Sequence, residues 1–481
     1  MRCVYARSSE PHRLTGCFVI AADIANWAYG LKLDQVPIEV VRQARRALLD
    51  TIGVACAGAN HEVTRAARRG FYSPGQGPCS VIGGGRSTAG IAALINATAA
   101  HAYDFDDASH TGIMHGSAII VPAVLALMEE IDATDNEALE AIIVGSEIAY
   151  VLGDTLTHRH YLRGWWSTAT LSVVAATVAV AKLNRMQADQ IAQAIGLAGA
   201  SAGGARTVVG TDAKPFLCGY VAKSAIEFAA AARAGITGPT DVFESERGFF
   251  SLLNDNIWDS DQLATLGKKW RLEDPGLLFK RYPVCSSALA AVEQCVALRA
   301  RYEIKIDQVC EIQCRIPELV KNSLVYDDPQ TFQQAQFSLP FCVACALHLG
   351  DVGLEHFSDS VLFAPDIRAT MAKVNAVVDP ELSSEAMCTR YPESTAVEIH
   401  IDDGRVFKGI TELAAGMPAR PLTDDELSVK FYHCVKYATA KQDGELVAVK
   451  QMMQSDSGAN ERNIKEILNV LWANSEAVNF G

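Results

Sequence analysis

Several features that would assign a function at once are missing from this 481-residue chain. No run of like charge exceeds three residues, and 42 Lys and Arg stand against 56 Asp and Glu, a formal charge of −14. That balance argues against nucleic acid as a partner. No apolar run is long and clean enough to span a bilayer. Ala108–Met128 carries His110, His115 and Pro122, Gly164–Ala181 is studded with hydroxyl side chains, and Pro329–Gly350 holds several glutamines and Pro340. Such polarity suits buried helices and loops, so no membrane partner is expected. There is no G-x-S-x-G elbow and no H-E-x-x-H pair, and Gly83-Gly-Gly-Arg-Ser87 lacks phosphate-loop spacing and reads as a turn. Serine hydrolase, zincin and nucleotide-binding readings therefore have no support.

Cysteine is present without forming a framework: thirteen residues, an odd number, are scattered along a long chain. They read as reduced core thiols. Cys342 and Cys345, with Cys310 and Cys314 upstream, have zinc-like spacing. The pair falls inside the apolar run Phe341–Leu347, which reads as a buried helix, so no metal is expected. Arg2, Arg7 and Arg13 lend the N-terminus a faint leader character. A cytoplasmic protein is expected, with a mitochondrial one as the alternative.

What is present is mostly helical periodicity. Pro37–Asp50 puts Val40, Val41, Ala44 and Leu48 on one face and Arg42, Arg45 and Arg46 on another. Apolar helices are predicted over 90–103, 117–131, 136–155, 167–184, 187–200 and 214–234. Beyond Trp270 the texture changes. Cys310, Ile312, Cys314 and Ile316 alternate with polar residues, and 396–410 is a hairpin signal around Asp402-Asp403-Gly404. Helices are predicted over 286–301 and 335–349, and Thr423-Asp-Asp-Glu426 is a capping-box start. The fold class is therefore mainly α. Residues 1–270 and 413–481 read as a large helical domain, and 271–412 as a smaller inserted α+β domain. With 49% hydrophobic residues, so much apolar helix surface also predicts a homo-oligomer, most simply a homodimer.

Three polar clusters carry the candidate chemistry. His101-Ala-Tyr-Asp-Phe-Asp-Asp-Ala-Ser-His-Thr-Gly-Ile-Met-His-Gly-Ser117 packs three carboxylates and three imidazoles between two apolar helices. Carboxylates so close together in a pinned loop point to a site. Lys214 precedes Pro215 at a helix start, where a cation is disfavoured unless an anion joins it; a bound carboxylate would supply one. Phe279-Lys-Arg-Tyr-Pro-Val-Cys285 supplies Lys280, Arg281, Tyr282 and Cys285, of which the two cations suit a carboxylate.

These clusters, in this order, resemble the MmgE/PrpD family from about Asp23 to the last helices. Leu48–Val54 resembles its N-terminal helix, His101–Asp107 its most specific motif, and Lys214-Pro215 and Lys280–Cys285 its later site segments. Tyr326–Thr331 and Ala335–Ser338 look closest to its epimerase branch. The resemblance implies an α+β domain that closes over the site and proton chemistry beside a carboxylate, with neither metal nor organic cofactor. The substrate class is a small carboxylic acid. The leading reaction is dehydration of a citrate-like acid or decarboxylation of an aconitate-like one. Alternatives are epimerisation of an iminodisuccinate-like acid, or a degenerate carboxylate-binding protein. Catalytic roles then fall to His115 as general acid or base, Asp104 orienting it, Lys214 stabilising developing charge, and Tyr326 as proton donor. Lys280, Arg281, Tyr282, Cys285, Trp166 and His110 are expected to contact the substrate. The chain departs from the family at Trp166, Leu217 and Leu289, each standing where histidine is usual, which suggests a less polar substrate. Removing His115 or Lys214 is expected to lower turnover far more than stability.

Overall fold

The computed structural model describes residues 19–438 and 463–473. The arginine-rich N-terminus, and the part of the C-terminal tail expected to be helical between these spans, lie outside the described residues. Helices α1 (Ile20–Gly30), α2 (Ile38–Gly58), α3 (Glu62–Phe71), α4 (Ala89–Ala100), α5 (Ser117–Ile131), α6 (Asp135–Leu162), α7 (Ser167–Leu183), α8 (Ala188–Ala200) and α9 (Ala213–Arg233) build the first hydrophobic core. Helices α4, α5 and α7 to α9 lie within a few residues of their predicted spans, α2 continues past the predicted Asp50 to Gly58, and α1 and α3 have no predicted counterpart. Helix α6 is extended at its C-terminal end by residues beyond a kink at Thr157 (φ 57°, ψ −179°). The kink falls beside the predicted end at residue 155. Past it, His158 Nε2 lies 2.9 Å from the His110 carbonyl oxygen.

Small side chains set the spacing of this core. Helix α7 is buried along its whole length and packs on both α6 and α9. Gly219 lets α9 approach α4 closely: a Cβ there would lie 2.2 Å from the Leu94 carbonyl. The chain returns late, when the helix Asp424–Ala438 packs on α2. Its start is the expected capping box, with Thr423 Oγ1 accepting from the Glu426 amide at 3.2 Å and Glu426 Oε2 accepting from the Thr423 amide at 2.8 Å.

A second core draws mainly on residues 278–417. The chain has already formed the short hairpin β1 (Cys79–Ser80) and β2 (Arg86–Ser87); the larger sheet is built from β3 (Val309–Ile316), β4 (Val374–Val378), β5 (Thr395–Ile401) and β6 (Val406–Thr411), in the order β4-β3-β5-β6. β3 pairs antiparallel with β5, placing Cys314 opposite Val397, and parallel with β4, placing Ile312 opposite Val374. The predicted alternation holds for Ile312, Cys314 and Ile316, which are fully buried, but not for Cys310, which is exposed where the register with β5 shifts between Val309 and Glu311. Strand β4 escaped the sequence reading because Val374–Val378 is short and half-exposed, with no inward–outward alternation to recognise. The helices Leu289–Tyr302 and Leu339–Leu349 cover the sheet. Cys342 and Cys345 lie fully buried in the second of them. Among the described residues, no helix is long and apolar enough to cross a membrane.

Candidate active site

The segment 101–117 leaves α4 and enters α5, so both of its ends are anchored in the first core. Its backbone turns sharply at Asp104, whose φ of 49° is left-handed, a conformation that Asp tolerates better than most residues. Ala108 and Leu278 exchange backbone hydrogen bonds at 2.9 and 2.8 Å, tying the loop to the strand of chain just before Lys280. Gly112 and Gly153 let the loop lie directly on α6: a Cβ on Gly153 would sit 2.7 Å from the Thr111 carbonyl oxygen. The loop therefore bridges the two cores.

Asp104 is the hub. Lys214 Nζ donates to its Oδ1 at 2.5 Å, and Lys280 Nζ donates to its Oδ2 at 2.8 Å and to its main-chain carbonyl at 2.5 Å. Lys214 also lies 2.6 Å from His101 Nε2, while His101 Nδ1 is 2.8 Å from Asp106 Oδ1. An ammonium has only donors, so His101 Nε2 must accept and Nδ1 must carry the proton toward Asp106. His115 is oriented the same way. Its Nδ1 is 3.0 Å from the Asp107 carbonyl oxygen and 3.2 Å from Asp106 Oδ2, so Nδ1 donates and Nε2 is the nitrogen that takes or gives a proton. That Nε2 lies 3.8 Å from Asp104 Oδ1. Trp166 closes the cluster, with the Lys214 ammonium 5.6 Å from its ring centre and the His101 ring 5.8 Å away. Phe337, from the second core, flanks Lys214 at 5.3 Å.

The electrostatics follow from burial. Burial alone would raise the Asp104 carboxyl, but Lys214 and Lys280 outweigh it and hold it below the usual carboxylate range. Asp106 is likewise lowered, against its burial, by His101 and His115. Burial lowers His101 to about 4, which keeps it neutral. Lys280 is raised, because Asp104 and Asp106 overcome its burial. Two carboxylates and two ammoniums thus offset one another around a neutral His101. His115, with its side chain 15% exposed, is the imidazole open to a reacting group. A lone-pair imidazole beside two ammoniums can take or return a proton while the cations stabilise charge developing on a carboxylate.

The structure brings together His115, Asp104, Lys214, Lys280 and Trp166 of the expected residues. Cys285 lies beside them: burial and the Asp104 charge raise its thiol to about 11, a neutral wall rather than a nucleophile. The anion that joins Lys214 is the protein's own Asp104. Arg281 is not brought to the cluster: its guanidinium is half-exposed and faces Glu426 at 3.9 Å, while Lys280 beside it is fully buried against Asp104. The Tyr282 side chain is buried in the second core near Arg281 and Asp351. Tyr326 donates to the Val209 carbonyl oxygen at 3.0 Å, and its ring fills the space over Gly210, on the loop leading to Lys214. His110 Nε2 is 3.2 Å from Glu393 Oε2. Glu393 also accepts from Ser286 and Ser287, each at 2.7 Å.

His101 and Asp106 join the site without having been expected there, although both lie in the 101–117 motif. Their signal was available, since a second imidazole and a second carboxylate in one buried loop require each other. Glu393 carried no local signal, because its partner His110 is 283 positions away. His101, Asp104, Asp106 and His115 also offer ligand atoms within 4.8 Å of one another, a grouping that could hold a cation. A metal ion there would have to displace ammoniums that already occupy both Asp104 oxygens, so the donor set does not fit one well.

Fold and site together define a mainly helical protein with a buried acid–base centre where two hydrophobic cores meet. The chain belongs to the MmgE/PrpD family: the family's N-terminal domain matches residues 22–258 and its C-terminal domain residues 282–454. It is 25% identical over 429 residues to the cis-aconitate decarboxylase of Homo sapiens, covering 86% of this chain and 87% of that one. It is 24% identical over 440 residues to a cis-aconitate decarboxylase-like protein, oryM, of Aspergillus oryzae, covering 86% and 89%. The cis-aconitate decarboxylase of Aspergillus terreus is 24% identical over 441 residues, covering 86% and 88%.

Proposed function

We propose that this protein is a cofactor-independent lyase acting on a di- or tricarboxylic acid, with decarboxylation of a cis-aconitate-like substrate favoured over citrate-like dehydration. The observation that carries this reading is the pairing of Lys214 and Lys280 on Asp104 beside the free Nε2 of His115. The activity named for the relatives supports decarboxylation in particular.

A substrate carboxylate entering the site shares the ammoniums with Asp104; each charge-assisted hydrogen bond of this kind contributes about 1.5–3 kcal/mol. As the C–C bond to the departing carboxylate breaks, its electron pair moves through the adjacent double bond toward a retained carboxylate held by Lys214 or Lys280, and CO2 leaves. His115, protonated at Nε2, delivers a proton to carbon, and solvent restores that proton, so the turnover consumes one proton per CO2. Tyr326 is a second donor once its hydroxyl turns from the Val209 carbonyl, to which it gives its one proton here. The segment 271–412 acts as a lid inserted in the helical domain, a reading supported by Lys280 and by the His110–Glu393 contact. The working form is a homodimer in the cytoplasm.

The test is incubation with cis-aconitate, citrate, methylcitrate and aminosuccinate-type acids, with products read by mass and by chiral separation. Loss of 44 mass units from cis-aconitate, the mass of CO2, is the expected result. Inversion without change of mass supports epimerisation instead, and no change in any acid overturns the enzyme reading. A monomeric mass in light scattering across micromolar dilution counts against the dimer.

A further inference from the structure

The loop 101–117 rests on a second buried polar cluster that the proposed chemistry does not use. Lys430, from the helix Asp424–Ala438, places Nζ 2.7 Å from Asp50 Oδ1 of α2. The same ammonium donates to the Phe105 carbonyl oxygen at 2.7 Å and lies 4.1 Å from the centre of the Phe105 ring. Asp107, two residues further on, is fully buried, and its carboxyl oxygens meet no donor at hydrogen-bonding geometry among the described residues. Its main-chain carbonyl, however, accepts from His115 Nδ1 at 3.0 Å. Asp107 thus faces the imidazole with its backbone carbonyl, while its side chain lies in the buried space it shares with Asp50, Asp106, Lys430 and the hydroxyls of Ser117 and Tyr150.

Two buried carboxyls share one cation here. Lys430 is committed to Asp50 and to Phe105, and a second ionised carboxylate in the same dry space would stand without a counter-charge of its own. We propose that Asp107 is a neutral carboxylic acid and that the Asp50–Lys430 ion pair, through the backbone of Phe105 to Asp107, positions the His115 imidazole. Burial first, and then the Asp50 charge, push the Asp107 carboxyl well above the usual range, in the same direction. Burial also raises Asp50, and Lys430 pulls it back. Asp50 and Lys430 are positioning residues: neither touches His115, yet both fix the peptide segment that holds its Nδ1. The catalytic part of this inference rests on the role proposed for His115.

The test uses the full chain labelled with 15N-histidine, the His115 signals being assigned by their loss in His115→Gln. In the wild type, His115 is expected as a single Nδ1–H tautomer. Asp107→Asn, isosteric with a neutral acid, should keep that spectrum, whereas Lys430→Met should mix the tautomers and lower kcat by about 10- to 100-fold with KM little changed, as misplacement of a catalytic group does. Lys430→Arg should recover much of the wild-type spectrum. An Asp107→Asn protein that loses the His115 tautomer overturns the neutral-acid assignment, and an unchanged His115 signal in Lys430→Met overturns the positioning role. Should Lys430→Met fail to fold, Asp50→Asn, which keeps the shape and removes the charge of the pair, decides the positioning role instead, a mixed His115 tautomer there supporting it and a wild-type spectrum overturning it. If no carboxylic acid is turned over, the proposed function fails, while the spectra still decide this inference.

Discussion

Asp104 and Lys214 are 110 positions apart in sequence and meet at 2.5 Å in a buried contact, with Lys280 on the other carboxylate oxygen. This single carboxylate therefore holds two ammoniums out of water. Lys214→Met should lower stability by about 1–3 kcal/mol, since Asp104 keeps one partner. Asp104→Asn, which strands both cations, should cost about 3–5 kcal/mol. The buried contact thus predicts a larger part for Lys214 in stability than the sequence alone suggests. Denaturant titration of the two variants gives the comparison, and an Asp104→Asn protein as stable as the wild type rejects the hub.

His115 differs because it is partly exposed and fills no core space. His115→Ala should lower turnover by about 10²–10⁴, the usual range for a general acid–base group, and leave the melting temperature nearly unchanged. A variant with wild-type turnover on the identified substrate would remove His115 from the mechanism.

The His110–Glu393 contact makes a pH-dependent contribution to stability. Burial would lower His110, but Glu393 raises it above its ordinary value of 6.5. Glu393 falls below its ordinary 4.5, because His110, Ser287 and Ser286 outweigh its burial. The raised histidine stabilises fully below pH 6.5 and loses that contribution as pH rises through its folded value; the lowered glutamate stabilises fully above pH 4.5 and loses it as pH falls through its folded value. The pair therefore contributes most between pH 4.5 and 6.5. Melting curves of wild type and His110→Gln should differ most in that window and converge toward alkaline pH; a gap that widens with pH rejects the ion pair.

Because both Asp104 oxygens are already held by ammoniums, a chelator should leave turnover unchanged. Loss of activity in chelator with recovery on adding a divalent ion would show that the four-residue cluster binds metal after all.

Trp166 is 2% exposed and roofs both His101 and Lys214. Trp166→His should open a cavity and lower stability, by less than the roughly 3–5 kcal/mol typical of truncating a buried tryptophan to alanine. It should also weaken turnover of the native substrate while admitting a more polar acid. Parallel rate measurements on a small panel of acids check this, and unchanged preference removes Trp166 from specificity.

What the sequence by itself determined is the local part of this protein. Helical periodicity located α2 and α4 to α9, alternation located β3 and the hairpin of β5 and β6, and the crowded acids and imidazoles of 101–117 marked the site. Each of these is a statement about neighbours in the chain, where spacing alone sets which face a side chain occupies. The tertiary structure decided the rest. It chose Lys280 over Arg281, supplied Asp104 as the anion for Lys214, joined His110 to Glu393, and brought Lys430 beneath Phe105. Those choices depend on which residues, hundreds of positions apart, share a volume from which water is excluded. There an unpaired charge is too costly to leave alone, and no local pattern records which partner will arrive.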